Sequence, residues 1–120
     1  MKTVVFDFDG VIHSYTSGWQ GEGNIPDPPV HGIREAIQNI RIAGYRVVVV
    51  STRCSTHIGM GAVRYYLRHH GIAVDDVMCE KPPAICYIDD RAIRFDGHPE
   101  TLLEKVQNFN PWYKEDNRNG

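Results

Sequence analysis

The chain alternates short runs of consecutive apolar residues with longer segments in which apolar residues recur every three or four positions. Residues 3–8 and 45–50 are the clearest short runs, and the second contains four successive valines. Such runs predict strands that are buried on both faces of a parallel sheet. Shorter runs predict further strands at 77–79 and 84–88 and a small edge strand at 93–95.

Three segments have the apolar spacing of an amphipathic helix. The first begins near Val30 and ends at Gly44, the second covers 56–70, and the third covers 99–109. In the third helix, four apolar side chains are expected to face inward: Leu102, Leu103, Val106 and Phe109. Strands that alternate with helices predict an α/β fold of three layers, a Rossmann-like parallel sheet with helices on both faces.

Length and composition are those of one globular domain. Of the 120 residues, 42% are apolar and 23% are charged, and the formal net charge is -2. We expect a single domain over 1–110 and a polar tail over 111–120, from which only Trp112 and Tyr113 would pack back. The net charge gives no overall attraction to nucleic acid. Because no apolar stretch is long enough to cross a bilayer and no signal segment is recognisable, we expect a cytoplasmic protein with no membrane partner.

Carboxylates follow two of the predicted strands. Asp7 and Asp9 end the first strand, and Asp89 and Asp90 end the strand at 84–88. Since the carboxyl ends of parallel strands share one edge of the sheet, these acids should meet where open α/β sheets bind ligands. Four acids at one edge require either a divalent cation or strong shifts of their pKa values. Mg²⁺ is the natural candidate, because hard cations take carboxylate oxygens and usually hold a substrate phosphate as well.

Other polar side chains are expected at the same edge. Ser51 and Thr52 follow the valine-rich strand, and Lys81 precedes the strand at 84–88. With Mg²⁺ bound, these groups would share the oxygens of a phosphoryl group. Asp7 would be the nucleophile, and Asp9 would protonate the leaving oxygen and later deprotonate the attacking water. The histidines and the three cysteines lack the spacing of a zinc site or a disulfide framework.

The order of these motifs resembles that of the haloacid dehalogenase superfamily, and in particular of its small capless members. Four segments carry the resemblance: Asp7-Phe8-Asp9-Gly10, Ser51-Thr52-Arg53, Lys81 and Ile88-Asp89-Asp90-Arg91. By position, the resemblance implies that Asp7 is the nucleophile and a metal ligand, and that Asp9 is the acid/base with its backbone carbonyl on Mg²⁺. Ser51, or Thr52 with a shift of one residue, would hold a phosphoryl oxygen, and Lys81 would steady the negative charges.

The resemblance also implies roles for the fourth motif. Asp89 would complete the metal site, and Asp90 would be either a ligand through water or a partner of Arg53 or Arg91. Further candidates for contact with the substrate or with the metal ligands are Gly10, Thr52, Arg53, Asp90 and Trp19.

The chain has no room for the cap domain that covers the site in most members of this superfamily. Neither the connection over 10–29 nor the one before 84–88 is long enough to hold one. An open site follows, with either a large substrate or a cover lent by a neighbouring subunit of a homo-oligomer. Trp19, in the first connection, either covers the core or stacks on and gates the substrate.

We therefore expect a Mg²⁺-dependent phosphomonoester phosphatase that works through an aspartyl-phosphate. Its substrate would be a small metabolite, a nucleotide or a nucleic-acid end. The alternative is a noncatalytic module in which Asp7 accepts phosphate and the altered surface recruits a partner. Asp9 argues against this alternative, because a phosphate acceptor needs no acid for a leaving group.

Overall fold

A four-stranded parallel sheet forms the centre of the fold in a computed structural model that describes residues 1–114. The strands are β1 Thr3–Asp7, β2 Arg46–Val50, β3 Asp76–Met78 and β4 Cys86–Ile88, and they lie in the order β3-β2-β1-β4. The strands predicted at 3–8, 45–50, 77–79 and 84–88 are confirmed to within one or two residues at each end. Residues 93–95 form no strand, so the predicted edge strand is wrong.

Three α-helices accompany the sheet. They are α1 Ile33–Ile42, α2 His57–His69 and α3 Leu102–Gln107, and short 3-10 helices precede α2 and α3 at Thr52–Ser55 and Pro99–Thr101. The Thr56 hydroxyl caps α2 by accepting a hydrogen bond from the Gly59 N–H. Within residues 1–114, no helix combines the length and the apolar character that crossing a membrane requires.

The main core lies between one face of the sheet and the helices α1 and α2. Apolar residues of β1 and β2 on this face pack with Ile37 of α1 and with Val63 and Leu67 of α2. Both helices share this face because β1, β2 and β3 follow one another in one direction across the sheet and right-handed crossovers then put their helices on one side.

The opposite face of the sheet holds a smaller apolar cluster. Val5, Val48 and Val50 form it, and Met78 and Ala84 pack against them. The short connection from β3 back to β4 therefore contributes to the cover of this face. The predicted layer of helices on the second face stays unconfirmed, because α3 buries no residue.

Helix α3 corrects one prediction about the core. Leu103 and Val106 were expected to face inward, but they are 70% and 61% exposed. Leu102 and Phe109 are half-buried. The apolar period gives the angle between side chains around a helix axis, but it does not show whether another element lies opposite that face.

Candidate functional site

Three carboxylates meet where β1 and β4 end. These strands are adjacent and parallel, with Phe6 opposite Ile88, so the residues that follow them emerge at one edge of the sheet. Oxygen atoms of Asp7, Asp89 and Asp90 all lie within 4.8 Å of one another. The structure thus brings together the acids at the ends of the first and fourth strands, with Asp90 inside the cluster.

Electrostatics within this cluster favour a bound cation. Burial, a hydrogen bond with Asp90 and the charge of Asp89 raise the pKa of Asp7 to about 8. Burial also opposes the ionisation of Asp89, but the Arg91 N–H and the Lys81 ammonium, 2.9 and 3.1 Å from its oxygens, hold its pKa below the usual value. Clustered oxygen donors with excess negative charge fit Mg²⁺.

A cavity of about 340 Å³ opens next to Asp7 and Asp90. Its lining includes Ser51, Thr52 and Lys81, which follow β2 and β3 at the same edge of the sheet. The Ser51 oxygen accepts the Arg53 N–H at 3.1 Å, which fixes the hydroxyl group at the start of a 3-10 helix. The volume is within the range of small-ligand sites, so a phosphorylated compound fits.

Asp9 also lines the cavity, but its carboxylate lies outside the acidic cluster and binds Arg53 and His13. The Arg53 guanidinium donates to both oxygens, at 2.8 and 3.2 Å, and His13 Nδ1 lies 2.8 Å from Oδ1. Burial opposes the ionisation of Asp9, but these hydrogen bonds from His13 and Arg53 hold its pKa below the usual value. Asp9 is therefore ionised in the unliganded site.

Arg53 connects Asp9 to the loop that precedes α1. Its Nη1 donates to the backbone carbonyls of Gly21 and Glu22 at 2.7 and 2.9 Å, and its guanidinium lies 4.5 Å from the centre of the Trp19 ring. The Arg53 side chain is 1% exposed, whereas Trp19 is 56% exposed. Trp19 therefore packs on the Arg53 guanidinium, and it is not among the described residues that line the cavity.

His13 is held by groups that the sequence did not single out. Its Nε2 accepts the Asp27 backbone N–H at 3.1 Å, so the ring proton lies on Nδ1 and is donated to Asp9. The Tyr66 hydroxyl donates to the Asp27 carbonyl at 2.9 Å. The prolines on either side of Asp27 were the available signal that this part of the loop is ordered.

Gly10 lies against the acidic cluster and the C-terminal segment. Its φ of +85° favours glycine, and a Cβ atom there would collide with the Asp90 carboxylate and the Tyr113 ring. Trp112 Nε1 donates to the Gly10 carbonyl at 2.6 Å. The prediction that Trp112 and Tyr113 pack back on the domain is confirmed, while residues 115–120 of the predicted tail lie outside the described residues.

Comparison with known proteins places the fold but no family. No protein-family model and no curated protein matches the chain. A chain in the structure of a Pnkp1/Rnl/Hen1 complex is 19% identical with a TM-score of 0.53, over 88% of this chain and 34% of that one. The crystal structure of D,D-heptose 1,7-bisphosphate phosphatase from Burkholderia thailandensis is 28% identical with a TM-score of 0.44, over 65% of this chain and 52% of that one.

These likenesses are limited in extent. This chain spans about a third of the first structure and about half of the second. The first likeness shows a shared fold and nothing finer, and the second superposition is too loose to carry an argument. The chain is therefore similar in fold to part of a larger protein of known structure.

Proposed function

We propose that this protein is a Mg²⁺-dependent phosphomonoester phosphatase of the capless haloacid dehalogenase type. One observation carries the proposal: Asp7, Asp89 and Asp90 converge at the edge of the sheet beside a cavity that Ser51 and Lys81 also line. A carboxylate nucleophile, an anionic metal site and phosphate-binding groups are the parts that this chemistry requires.

Asp7, Asp89 and Asp90 would hold the metal ion, and the resemblance adds the backbone carbonyl of Asp9. When bound, Mg²⁺ supplies positive charge that lowers the pKa of Asp7 and offsets the charge of the phosphoryl oxygens. The raised pKa of Asp7 supports this assignment, because burial and the neighbouring Asp90 and Asp89 disfavour its ionised form, which a bound cation would stabilise.

Two displacements would then complete the reaction. In the first, an oxygen of Asp7 bonds to phosphorus, the bond to the leaving oxygen breaks, and that oxygen takes a proton from Asp9. In the second, water bonds to phosphorus and gives its proton to Asp9, and the bond to Asp7 breaks. Asp9 must be protonated for the first step, and the negative charge of a bound phosphoryl group favours this protonation.

The surrounding residues would hold the reacting groups in place. Ser51 donates its hydroxyl hydrogen to a phosphoryl oxygen, with Thr52 as the neighbouring candidate, and Lys81, which is paired with Asp89, balances negative charge in the same cavity. Arg53 and His13 hold the Asp9 carboxylate at the edge of the same cavity. The substrate is a small metabolite, a nucleotide or a nucleic-acid end.

Phosphate release from a panel of phosphomonoesters tests this function. We expect wild type with Mg²⁺ to release phosphate, and Asp7→Asn or a chelator to lower the rate by at least about a thousandfold. Asp75→Asn is a matched control, because this carboxylate pairs with Arg41 and precedes β3, at the edge of the sheet away from the acidic cluster. Turnover that survives Asp7→Asn would refute the mechanism.

A second candidate function is a noncatalytic module that accepts phosphate on Asp7. The hydrogen bonds that keep Asp9 ionised favour it, since an ionised acid does not donate a proton. Incubation with a small phosphodonor such as acetyl phosphate separates the two. A stable gain of one phosphoryl group in protein mass that requires Asp7, without release of phosphate, would favour the noncatalytic module. Continued release of inorganic phosphate would favour the phosphatase.

A further inference from the structure

Two tyrosines from distant parts of the chain form one wall of the cavity. Tyr15 and Tyr113 both line it, and their rings pack edge to face with centroids 5.8 Å apart. Tyr15 has a φ of 61°, a left-handed conformation that is uncommon for an aromatic residue. Backbone strain of this kind occurs where the surrounding structure holds a side chain in a required place.

Tyr113 is anchored directly to the candidate catalytic motifs. Its hydroxyl oxygen accepts hydrogen bonds from Nε and Nη2 of Arg91, at 3.3 and 3.2 Å. Its ring lies against Gly10, and the neighbouring Trp112 is bonded to the carbonyl of that same glycine. Trp112 and Tyr113 thus contact residues of the first and fourth motifs, and Tyr113 lines the cavity.

The position of this wall determines what it can contact. Asp7, Ser51 and Lys81 would surround the phosphoryl group, and the two tyrosines line the same cavity. A leaving group attached to that phosphate can therefore reach the two tyrosine rings. Aromatic faces stack on planar rings, whereas a sugar without a base presents mainly hydroxyl groups.

We infer that Tyr15 and Tyr113 bind the base of a nucleoside monophosphate, which makes Tyr113 a specificity-determining residue of the site. This inference rests on the proposed function, because it assigns the group that leaves with the ester oxygen. The phosphate end of the substrate lies at the acidic cluster, and its base lies against the two tyrosine rings. The chain thereby supplies with its own C-terminal segment some of the cover that a cap domain would give.

Binding to the inactive Asp7→Asn protein tests the inference without turnover. Adenosine 5′-monophosphate and ribose 5-phosphate differ in the base, and with Mg²⁺ present we expect the nucleotide to bind about tenfold more tightly, as stacking on an aromatic ring allows. Adding Tyr113→Ala should remove this preference by weakening nucleotide binding while ribose 5-phosphate binding stays unchanged. Tyr113→Phe, which keeps the ring, should retain the preference.

Tyr65→Ala is the matched control, because this tyrosine is 63% exposed on α2 and stacks only on His69 among the aromatic rings of the described residues. It should leave both dissociation constants unchanged. Equal affinity for the two ligands in the Asp7→Asn protein, or a preference that survives Tyr113→Ala, would overturn the inference. The proposed function fails separately, through the absence of phosphate release by wild type, whatever the binding preference is.

Discussion

Replacing Asp7 with asparagine should stabilise the metal-free protein at neutral pH. The carboxyl group of Asp7 is partly buried next to Asp89 and Asp90, and its pKa is raised from 3.8 to about 8. Between these two values the folded protein holds a proton that the unfolded chain has lost. The stability of wild type therefore falls as the pH rises through this range and levels off above the folded pKa. Asparagine does not titrate, so the variant lacks this loss.

The size of the effect follows from the displaced pKa. One pKa unit corresponds to about 1.4 kcal/mol, so the titration of Asp7 should lower the free energy of unfolding by roughly 3 kcal/mol between about pH 5 and pH 7. Urea unfolding in the presence of a chelator measures this quantity at each pH. The free energy of Asp7→Asn minus that of wild type should increase by this amount across the interval.

Asp75→Asn is the control for the pH series. Hydrogen bonds from Arg41 and from the Val47 amide hold the pKa of Asp75 below its usual value, so this group stays ionised from about pH 5 to 7 in both folded and unfolded protein. Its difference from wild type should therefore be constant. Parallel curves for wild type and Asp7→Asn would refute the argument that burial and neighbouring acids destabilise the ionised Asp7.

Three further results are expected. Arg53→Lys should lower the free energy of unfolding by about 2–4 kcal/mol, because an ammonium group cannot replace the buried forked hydrogen bonds of the guanidinium. Arg46→Lys, at a half-exposed ion pair, should change it by less than about 0.5 kcal/mol. Equal urea midpoints for the two variants would contradict this prediction. Gly10→Ala should lower the free energy of unfolding by about 2 kcal/mol or more. Gly18→Ala should lower it by about 1 kcal/mol, because Gly18 also has a positive φ but no atom lies where its Cβ would be. A smaller loss for Gly10→Ala than for Gly18→Ala would refute the close contact between Gly10 and Asp90. Mg²⁺ at about a hundred times its Kd for wild type should stabilise wild type by about 2.7 kcal/mol in thermal unfolding. If the same Mg²⁺ concentration stabilises Asp90→Asn equally, Asp90 is excluded from the metal site.

The sequence alone was enough to predict that Asp7, Asp89 and Asp90 lie close together. Apolar runs identify strands locally, and the rule that parallel strands end at one edge requires no knowledge of side-chain contacts. Asp7 and Asp89 could therefore be assigned to one cluster before the strand order was known. The position of these two carboxylates depends on the direction of the strands, and the alternation of strands and helices already implies that direction.

Only the tertiary structure decided which partner each side chain has. Asp9 is two residues from Asp7, yet its carboxylate binds Arg53 and His13. The long loop before α1 brings His13 to the edge of the sheet, and the 3-10 helix after β2 brings Arg53 there. The same holds for Tyr113, which contacts Gly10 from the far end of the chain. Local patterns encode the direction of the backbone, whereas contacts between distant segments depend on where loops of irregular structure lead, and no periodicity describes those loops.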